Sequence, residues 1–373
     1  MLGRAPSLAD LTTLRVGGPV QSYVEVSSES ELIDAVREAD ASRVPLLVMG
    51  GGSNLLVADE GFAGIVVRDG RHDLERLTDV PGTVGVRVTA GHDWDRLVEE
   101  SVENGWAGAE ALSGIPGTAG AAPVQNIGAY GSEVARVVQS VRCWDRAEAR
   151  VRTLTAAELT FGYRTSLLKR SMSSDGDGPS SHPTPRYVVL DVDLRMQTGE
   201  LSLPVAYSEL ARQLGVEVGD RVPVARVRAA VLELRGGKGM LADDAGAGVA
   251  PDHDRWSAGS FFTNPVLSSE AAEHLPAEAP RFAAGGGSSA AVAGRVKTSA
   301  AWLIEHAGFA KGFGTSGDAS AARLSTRHTL ALTNRGSATA ADVVELARTV
   351  RDGVRDRFGV ALEPEPVLVG VAL

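Results

Sequence analysis

The chain has 373 residues, of which 43% are hydrophobic, and it carries a formal net charge of −10. Because no basic stripe accompanies this acidic balance, we expect no nucleic-acid partner. The only cysteine, Cys143, excludes an intrachain disulfide framework and a cysteine-based zinc cluster. The first residues contain no apolar stretch of signal-peptide length, and no segment approaches the roughly 18 apolar residues of a membrane span. We therefore expect a cytoplasmic protein of two or three domains without a membrane partner.

The first third of the chain alternates strand and helix patterns. Residues 20–26 alternate in polarity as a strand does, and residues 28–39 open with a capping-box pattern and repeat apolar positions at helical spacing. A buried strand over 44–49, a strand over 83–91 and a helix over 94–105 follow. This succession predicts an α/β first half.

Two glycine-rich loops are candidates for ligand binding. The first, MGGGSNLLV, places three glycines, Ser53 and Asn54 directly after a buried strand. Glycine backbone lets N–H groups approach a phosphate closely, but the loop matches neither the Walker nor the G-x-G-x-x-G pattern, so a plain tight turn is equally open. The second, LSGIPGTAGAAPVQNIGAYGSEV (112–134), has amides but almost no charge. Together the loops favour a bound dinucleotide over a buried connector.

Four acidic or basic residues allow both a functional and a structural interpretation. Arg164 lies in the mostly apolar LTFGYRTSLLK, so its guanidinium should meet a ligand anion or an internal acid. Lys238, in the glycine turn LRGGKGML, suits phosphate, although composition alone favours a solvated lysine. Glu363 and Glu365 face the same side of an extended segment, which the adjacent prolines place at a sheet edge or terminus. By default these two carboxylates are solvated.

Two stretches differ in composition from the rest of the chain. Residues 170–186 and 276–294 are rich in Ser, Gly, Ala and Pro, which predicts mobile surface insertions. After them, residues 339–359 form an amphipathic helical pattern, and one face carries the apolar residues Val343, Leu346, Val350, Val354 and Phe358.

A set of ordered motifs connects these observations. It consists of TTLRVGGP, GGGSNLL, IPGTAGAAPVQNIGAYG, FGYRTSLLK, SAGSFFTNP, KTSAAWLIEHAG and LEPEPVLVG. With these motifs the chain resembles the UDP-N-acetylenolpyruvoylglucosamine reductases, flavin enzymes of bacterial peptidoglycan precursor synthesis. The likeness runs from about Thr12 to the C-terminus. PVQNIGAYG and AGSFFxNP are its most specific parts, whereas GGGSN recurs in other flavoproteins.

The resemblance implies an α+β protein with α/β lobes, in which a two-lobed FAD-binding domain of the vanillyl-alcohol-oxidase (PCMH) type precedes a smaller C-terminal α+β substrate-binding domain. The implied boundaries are 12–198 for the FAD-binding domain (lobes at about 12–70 and 71–198), 199–245 for a connecting segment with a Tyr-bearing loop, 246–360 for the substrate-binding domain, and 361–373 for a C-terminal strand that returns to the active site.

The resemblance also implies a reaction and its residues. NADPH reduces non-covalently bound FAD, and the flavin N5 then transfers hydride to C3 of the enolpyruvyl ether of a nucleotide sugar. Ser260 donates the proton to C2, Phe261 and Phe262 keep water away from it, and Arg164 and Glu365 stabilise the charge of the carboxylate. Tyr163, Tyr207, Lys238 and Asn264 contact the substrate. The cofactor-binding positions are Gly50, Gly51, Gly52, Ser53, Asn54, Ile115, Pro116, Gly117, Gly120, Ala121, Asn126 and Gly128. No metal is implied, and we expect a monomer.

Two other functions remain open at this point. A flavin oxidase of a small alcohol or sugar would share the fold, but many such enzymes tether FAD to a histidine, and neither glycine-rich loop contains one. A nucleotide-sugar-binding regulator would bind the ligand without consuming NADPH.

Overall fold

The computed structural model describes residues 6–77, 80–172, 182–242, 250–284 and 294–373. The α-helices are α1 (Leu8–Leu11), α2 (Glu29–Ser42), α3 (Trp94–Glu103), α4 (Ala156–Leu159), α5 (Leu167–Arg170), α6 (Ser208–Leu214), α7 (Val224–Gly237), α8 (Ser269–Glu273), α9 (Ala300–His306) and α10 (Ala340–Phe358). Strands of the first half are β1 (Val20–Val26), β2 (Leu46–Met49), β3 (Leu55–Val57), β4 (Phe62–Asp69), β5 (Leu74–Arg76), β6 (Thr83–Thr89), β7 (Trp106–Ala107), β8 (Gly128–Ala129), β9 (Ser132–Glu133), β10 (Val138–Asp145), β11 (Arg150–Thr155) and β12 (Tyr187–Thr198). Those of the second half are β13 (Ser257–Ser260), β14 (Val266–Ser268), β15 (Phe282–Ala283), β16 (Arg295–Lys297), β17 (Ala322–Leu324), β18 (Ala331–Asn334) and β19 (Val367–Val369). No helix of this part of the chain is long and apolar enough to span a membrane.

The first lobe is a parallel three-stranded sheet in the order β1-β4-β2. Helix α2 packs on it with the predicted apolar face, since Leu32, Val36 and Ala39 share a buried cluster with Leu46 of β2. The Ser28 hydroxyl caps this helix by accepting the N–H of the third helical residue. The strands predicted over 20–26 and 44–49 and the helix between them are confirmed.

The second lobe is an antiparallel sheet in the order β11-β10-β12-β6-β5, with β7 also paired to β12. The predicted strand over 83–91 is β6, and the predicted helix over 94–105 is α3, which buries Trp94. Because the pairing is antiparallel, the α/β interpretation of the first half holds for the first lobe only. Strand β12 is central and is buried throughout its first eight residues.

The C-terminal region is built on helix α10 and two small antiparallel sheets, β13-β18-β17 and β14-β16-β15. Val343, Leu346, Val350 and Val354 of α10 are buried, as the helical pattern predicts. Phe358 packs against the same core but stays partly exposed.

The C-terminal strand joins the two halves of the molecule. Strand β19 pairs in parallel with β3 of the first lobe. Just before it, the Glu365 N–H donates to the Phe261 carbonyl at 2.8 Å, and the Thr263 N–H donates to the Glu363 carbonyl at 3.0 Å. The segment therefore returns to the C-terminal region and lies at a sheet edge, as its prolines predict. Glu363 is exposed, whereas Glu365 is partly buried.

The boundaries predicted for the two insertions are wrong at their described ends. Residues 173–181 and 285–293 lie outside the described residues. Thr184 is buried, and its hydroxyl donates to the Leu46 carbonyl and accepts the Val48 N–H, each at 2.8 Å. In the second stretch, residues 282–283 form β15. Composition wrongly predicts mobility at these ends, because one side-chain hydroxyl or a short strand pairing can satisfy backbone groups and anchor a Ser- and Pro-rich segment.

Candidate active site

The predicted catalytic residues converge on one cavity of about 960 Å³. Ser260, Arg164 and Glu365 all line it, although they come from three separate parts of the chain. Its other walls come from the connecting segment and from the turn that joins β17 and β18. The convergence supports a common site for the three residues, whose chemical roles remain predictions.

Ser260 is held at the end of β13 by its neighbours. It pairs with Ala331 of β18, and the next residue, Phe261, donates its N–H to the Leu330 carbonyl at 2.8 Å. Phe261 and Phe262 are each 1% exposed and pack edge-to-face within the C-terminal core. Neither lines the cavity, so their predicted shielding of Ser260 from water stays a prediction. Their burial anchors the backbone that carries the hydroxyl.

Arg164 reaches the cavity from a strained turn. Its φ of 52° lies in the left-handed region, which is uncommon for a non-glycine residue. The Nη2 atom donates to the Gly128 carbonyl at 2.8 Å, and Nε lies 3.0 Å from Oε1 of Glu365. Although Nε is close enough for an ion pair, its orientation gives no hydrogen bond there. The predicted anionic partner of Arg164 is thus an internal acid in this structure.

Gln125 connects Glu365 to the first glycine-rich loop. Its Nε2 donates to Oε1 of Glu365 at 3.0 Å, and its own Oε1 accepts the Asn54 side-chain amide at 2.8 Å. The sequence shows Gln125 within the specific PVQNIGAYG motif, but we did not predict it as a site residue. The structure adds it to the candidate site because it orients the carboxylate.

Lys169 lies behind this network and was also missed. Its Nζ is 3.3 Å from the Arg164 carbonyl and 3.5 Å from Oε1 of Gln125. Burial lowers the pKa of Lys169, and the charge of Glu365 opposes that shift. A partly buried ammonium here contributes positive potential beside Glu365.

His328 is the third residue that the sequence did not reveal. It lines the cavity, with Nε2 3.4 Å from the Ser260 hydroxyl oxygen. Burial lowers the pKa of His328 to about 4, with further lowering by the charges of Lys238, Lys311 and Arg235. The imidazole is therefore neutral at physiological pH.

Tyr207 and Lys238 lie on the wall formed by the connecting segment, as predicted. The Nζ of Lys238 is 2.7 Å from Oε2 of Glu209 and 5.5 Å from the centre of the Tyr130 ring. Tyr207 meets the same Tyr130 ring edge-on and is itself 44% exposed. The solvated-lysine interpretation of Lys238 is therefore wrong, because a carboxylate and a ring face contact it.

Tyr163 and Asn264 do not line the cavity. The Asn264 N–H donates to the Tyr163 hydroxyl at 3.2 Å, and the Asn264 side-chain oxygen accepts the Ala300 N–H at the start of α9 at 2.9 Å. Burial raises the pKa of Tyr163. In this structure both side chains hold loops together, and their predicted substrate contacts stay predictions.

A second cavity of about 190 Å³ collects most of the predicted cofactor-binding positions. It shares Gly51, Ser53 and Asn54 with the first cavity, so the two cavities are adjacent. The predicted positions that line it are Gly50, Gly51, Gly52, Ser53, Asn54, Ile115, Pro116, Gly117, Gly120 and Ala121. Gly128 lines the larger cavity instead.

Asn126 does not line either cavity. It is fully buried, its side-chain nitrogen donates to the Gly162 carbonyl, and its side-chain oxygen accepts the Ala135 N–H. Both polar atoms of its side chain are thus used to join loop segments, and its predicted cofactor contact stays a prediction.

The two glycine-rich loops have the chemistry that a dinucleotide cofactor requires. Within the described part of the chain, the backbone N–H groups of residues 51–54 and of Gly117 donate to no protein acceptor. A Cβ atom on Gly51 would lie 2.9 Å from the Gly117 Cα, so only glycine lets the loops approach each other this closely. Open backbone donors beside an apolar groove suit the diphosphate and the ring of FAD.

Comparisons with known proteins identify the family. The UDP-N-acetylenolpyruvoylglucosamine reductase of Cutibacterium acnes is 48% identical over 371 residues, covering 100% of this chain and 91% of that protein. The chain belongs to the UDP-N-acetylenolpyruvoylglucosamine reductase family. The reductase of Thermobifida fusca is 51% identical, with 98% of this chain and 97% of that protein covered. The family model for the reductase C-terminal domain matches residues 251–369, and a model for an FAD binding domain matches residues 20–155.

The structural comparison agrees. The crystal structure of UDP-N-acetylenolpyruvylglucosamine reductase from Thermus caldophilus superposes with a TM-score of 0.61 at 27% identity and covers 98% of this chain and 97% of that one. The predicted fold class and the resemblance drawn from the motifs are confirmed. The chain is an FAD-dependent oxidoreductase of the reductase family.

Proposed function

We propose that this chain uses NADPH to reduce UDP-N-acetylglucosamine enolpyruvate to UDP-N-acetylmuramate, a cytoplasmic step of bacterial peptidoglycan synthesis, and that it acts as a monomer. The observation that carries the proposal is the convergence of Ser260, Arg164 and Glu365 on a cavity that shares lining residues with the glycine-lined groove. In this scheme residues 12–198 bind FAD and residues 246–360 bind substrate. Residues 199–245 supply Tyr207 and Lys238, and residues 361–373 supply Glu365.

The two glycine-rich loops would hold FAD in the groove, and FAD would supply the hydride-transfer chemistry between NADPH and the enolpyruvyl substrate. Ser260 then delivers a proton from its hydroxyl to C2. A serine is a weak acid in water, but the carbanionic C2 is a strong base, so a positioned neutral donor suffices.

Arg164 and Glu365 interact with the substrate carboxylate, whose negative charge grows as hydride arrives at C3. The guanidinium offers a planar set of donors that suits a carboxylate, and its left-handed backbone aims it into the cavity. Gln125 and the Gly128 carbonyl keep Glu365 and Arg164 in place before substrate binds. Donors that are already oriented lower the barrier because they need no reorganisation during the reaction.

Ser260→Ala tests this proposal. We expect the bound flavin to be reduced by NADPH at the wild-type rate, while its reoxidation by the enolpyruvyl substrate slows by several orders of magnitude, because only the second half-reaction needs a proton at C2. Rapid mixing with absorbance detection measures both steps, and flavin content per chain controls for folding. Equal losses in both half-reactions would show that Ser260 is structural.

The same assay distinguishes the remaining alternatives. Wild-type protein that binds the nucleotide sugar but consumes no NADPH with it would be a regulator. Flavin that is reduced by a small alcohol or sugar and reoxidised by oxygen, but not by the enolpyruvyl substrate, would identify an oxidase.

A further inference from the structure

We propose that His328 is the positioning residue for the proton donor: its Nε2–H donates a hydrogen bond to the Ser260 hydroxyl oxygen. The hydroxyl hydrogen is then free to point at the substrate, and the oxygen is stabilised as that hydrogen leaves. This inference rests on the proposed role of Ser260, and it assigns a function to a residue that no sequence motif indicates.

The contact comes from the cavity wall itself. His328 Nε2 lies 3.4 Å from Ser260 Oγ, and both residues line the large cavity. This distance is longer than the 2.7–3.2 Å of a typical N–H···O bond. Catalytic hydrogen bonds are often long before substrate binds and shorten in the reacting complex.

The backbone of His328 is held by the turn between β17 and β18. The fully buried Ser325 hydroxyl accepts the N–H groups of Arg327 and His328 at 3.0 and 3.1 Å. The His328 carbonyl accepts the Ala331 N–H at 3.0 Å, and Ala331 is the residue that pairs with Ser260. The same strand pairing therefore positions the imidazole and the hydroxyl.

The surroundings keep the imidazole neutral. The charges of Lys238, Lys311 and Arg235 act on the imidazole, and Glu209 is the opposing acid. Burial together with these cations lowers the pKa of His328 to about 4. A neutral imidazole carries one hydrogen, on Nδ1 or on Nε2. If Ser260 donated to an unprotonated Nε2, the hydroxyl hydrogen would be engaged and could not reach C2, so the proposal requires the Nε2–H tautomer.

The proton balance is complete without charging the imidazole. The O–H bond of Ser260 breaks, a C–H bond forms at C2, and negative charge remains on Oγ, where the Nε2–H of His328 stabilises it. Water from the cavity then returns a proton to Oγ, and the resulting hydroxide is neutralised by the buffer.

A matched pair of variants tests the donor. Glutamine places an N–H group near the position of Nε2, whereas methionine has a similar shape without a donor. In the FAD-loaded full chain, we expect His328→Met to slow substrate-driven flavin reoxidation about 10- to 100-fold, the effect of losing one oriented donor. His328→Gln should stay within about fivefold of wild type. Equal rates for the two variants would overturn the proposal.

A double mutant separates this inference from the proposed function. If His328 acts only through Ser260, His328→Met should change nothing further in a Ser260→Ala background, because coupled residues are not additive. A full additional loss there would assign His328 a role independent of Ser260. If Ser260→Ala alone left reoxidation unchanged, the proposed function of Ser260 would fail first, whatever the His328 variants do.

A spectroscopic readout is independent of turnover. Ring ¹⁵N chemical shifts distinguish the two neutral tautomers, and the His328→Gln spectrum identifies the signal among the seven histidines of the chain. We expect a protonated Nε2 and an unprotonated Nδ1 at pH 7 in the oxidised FAD-loaded protein. An Nδ1–H tautomer or an imidazolium at that pH would contradict the proposal.

Discussion

Replacing Arg164 by lysine tests whether this guanidinium acts during hydride transfer. Arg164 makes two polar contacts that one ammonium cannot make together, with the Gly128 carbonyl at 2.8 Å and with Glu365 at 3.0 Å. The side chains of Arg164 and Glu365 are only 20% and 13% exposed, so solvent screens their interaction weakly. Losing one charge-assisted hydrogen bond costs about 1.5–3 kcal/mol. We therefore expect Arg164→Lys to slow flavin reoxidation by substrate about 10- to 100-fold at saturation.

Lys238→Ala is the matched comparison, because both residues bind anions in the proposed site. Lys238 would hold phosphates whose charge does not change during the reaction, and such uniform binding affects KM rather than the saturated rate. In the structure its ammonium lies 2.7 Å from Glu209 and must exchange that carboxylate for a phosphate. We expect weaker nucleotide binding with a smaller change in the saturated rate.

The assay is rapid mixing of pre-reduced, FAD-loaded protein with increasing concentrations of the enolpyruvyl substrate, followed by flavin absorbance. Its plateau gives the saturated rate, and its half-saturation point gives the apparent affinity. If Lys238→Ala abolished the plateau while Arg164→Lys left it untouched, the roles would be reversed and this account of the site would be wrong.

Two further predictions concern the groove and acid stability. Gly51→Ala puts a methyl group 2.9 Å from the Gly117 Cα, so overpacking that costs about 1–3 kcal/mol should weaken FAD binding and lower the flavin content per chain. Gly237→Ala is the control: its methyl group meets nothing within 4 Å, so the flavin content should stay unchanged. Burial raises the pKa of Asp145, but hydrogen bonds from Arg186 and the backbone outweigh burial and hold this pKa below 3.8. The carboxylate therefore stabilises the fold above pH 3.8, and this stabilisation is lost as pH falls through the folded-state pKa. Asp145→Asn should therefore lower the free energy of unfolding at pH 7 by about 1.5–3 kcal/mol, the cost of losing a charge-assisted hydrogen bond. Denaturant titrations measure this difference, which should shrink in acid; a pH-independent difference would contradict the prediction.

The family resemblance made Ser260, Arg164 and Glu365 candidate catalytic residues, and each of them lies in a distinctive local sequence. Ser260 precedes a pair of phenylalanines, Arg164 follows Tyr163 in an apolar run, and Glu365 lies between prolines. The glycine-rich loops were equally visible, since closely approaching backbones demand glycine. Local composition was sufficient for the glycine-rich loops, whereas the roles of Arg164 and Glu365 came from the resemblance and remain predictions.

The remaining features depend on long-range pairing, which composition does not encode. His328 reaches Ser260 only because β18 pairs with β13, and nothing in TRHT indicates this. Phe261 and Phe262 have the same character whether they line a cavity or fill a core, so the sequence could not decide between these interpretations. Local composition placed Thr184 in an insertion because it cannot show the hydrogen bonds of Thr184 to strand β2, which lies 136 and 138 positions away in the chain.

The C-terminal segment explains how residues from distant parts of the chain can act together. Asn54, in the loop that lines the FAD groove, donates its side-chain amide to Gln125, and its carbonyl accepts the Val367 N–H at 2.9 Å. Two residues earlier, the Glu365 N–H donates to the Phe261 carbonyl, next to Ser260. The segment from Glu365 to Val369 thus connects the glycine-rich loop, Glu365 and the end of β13 through backbone hydrogen bonds. Because such hydrogen bonds tolerate little displacement, the segment fixes the position of Glu365 relative to both the FAD groove and Ser260, as the proposed reaction requires.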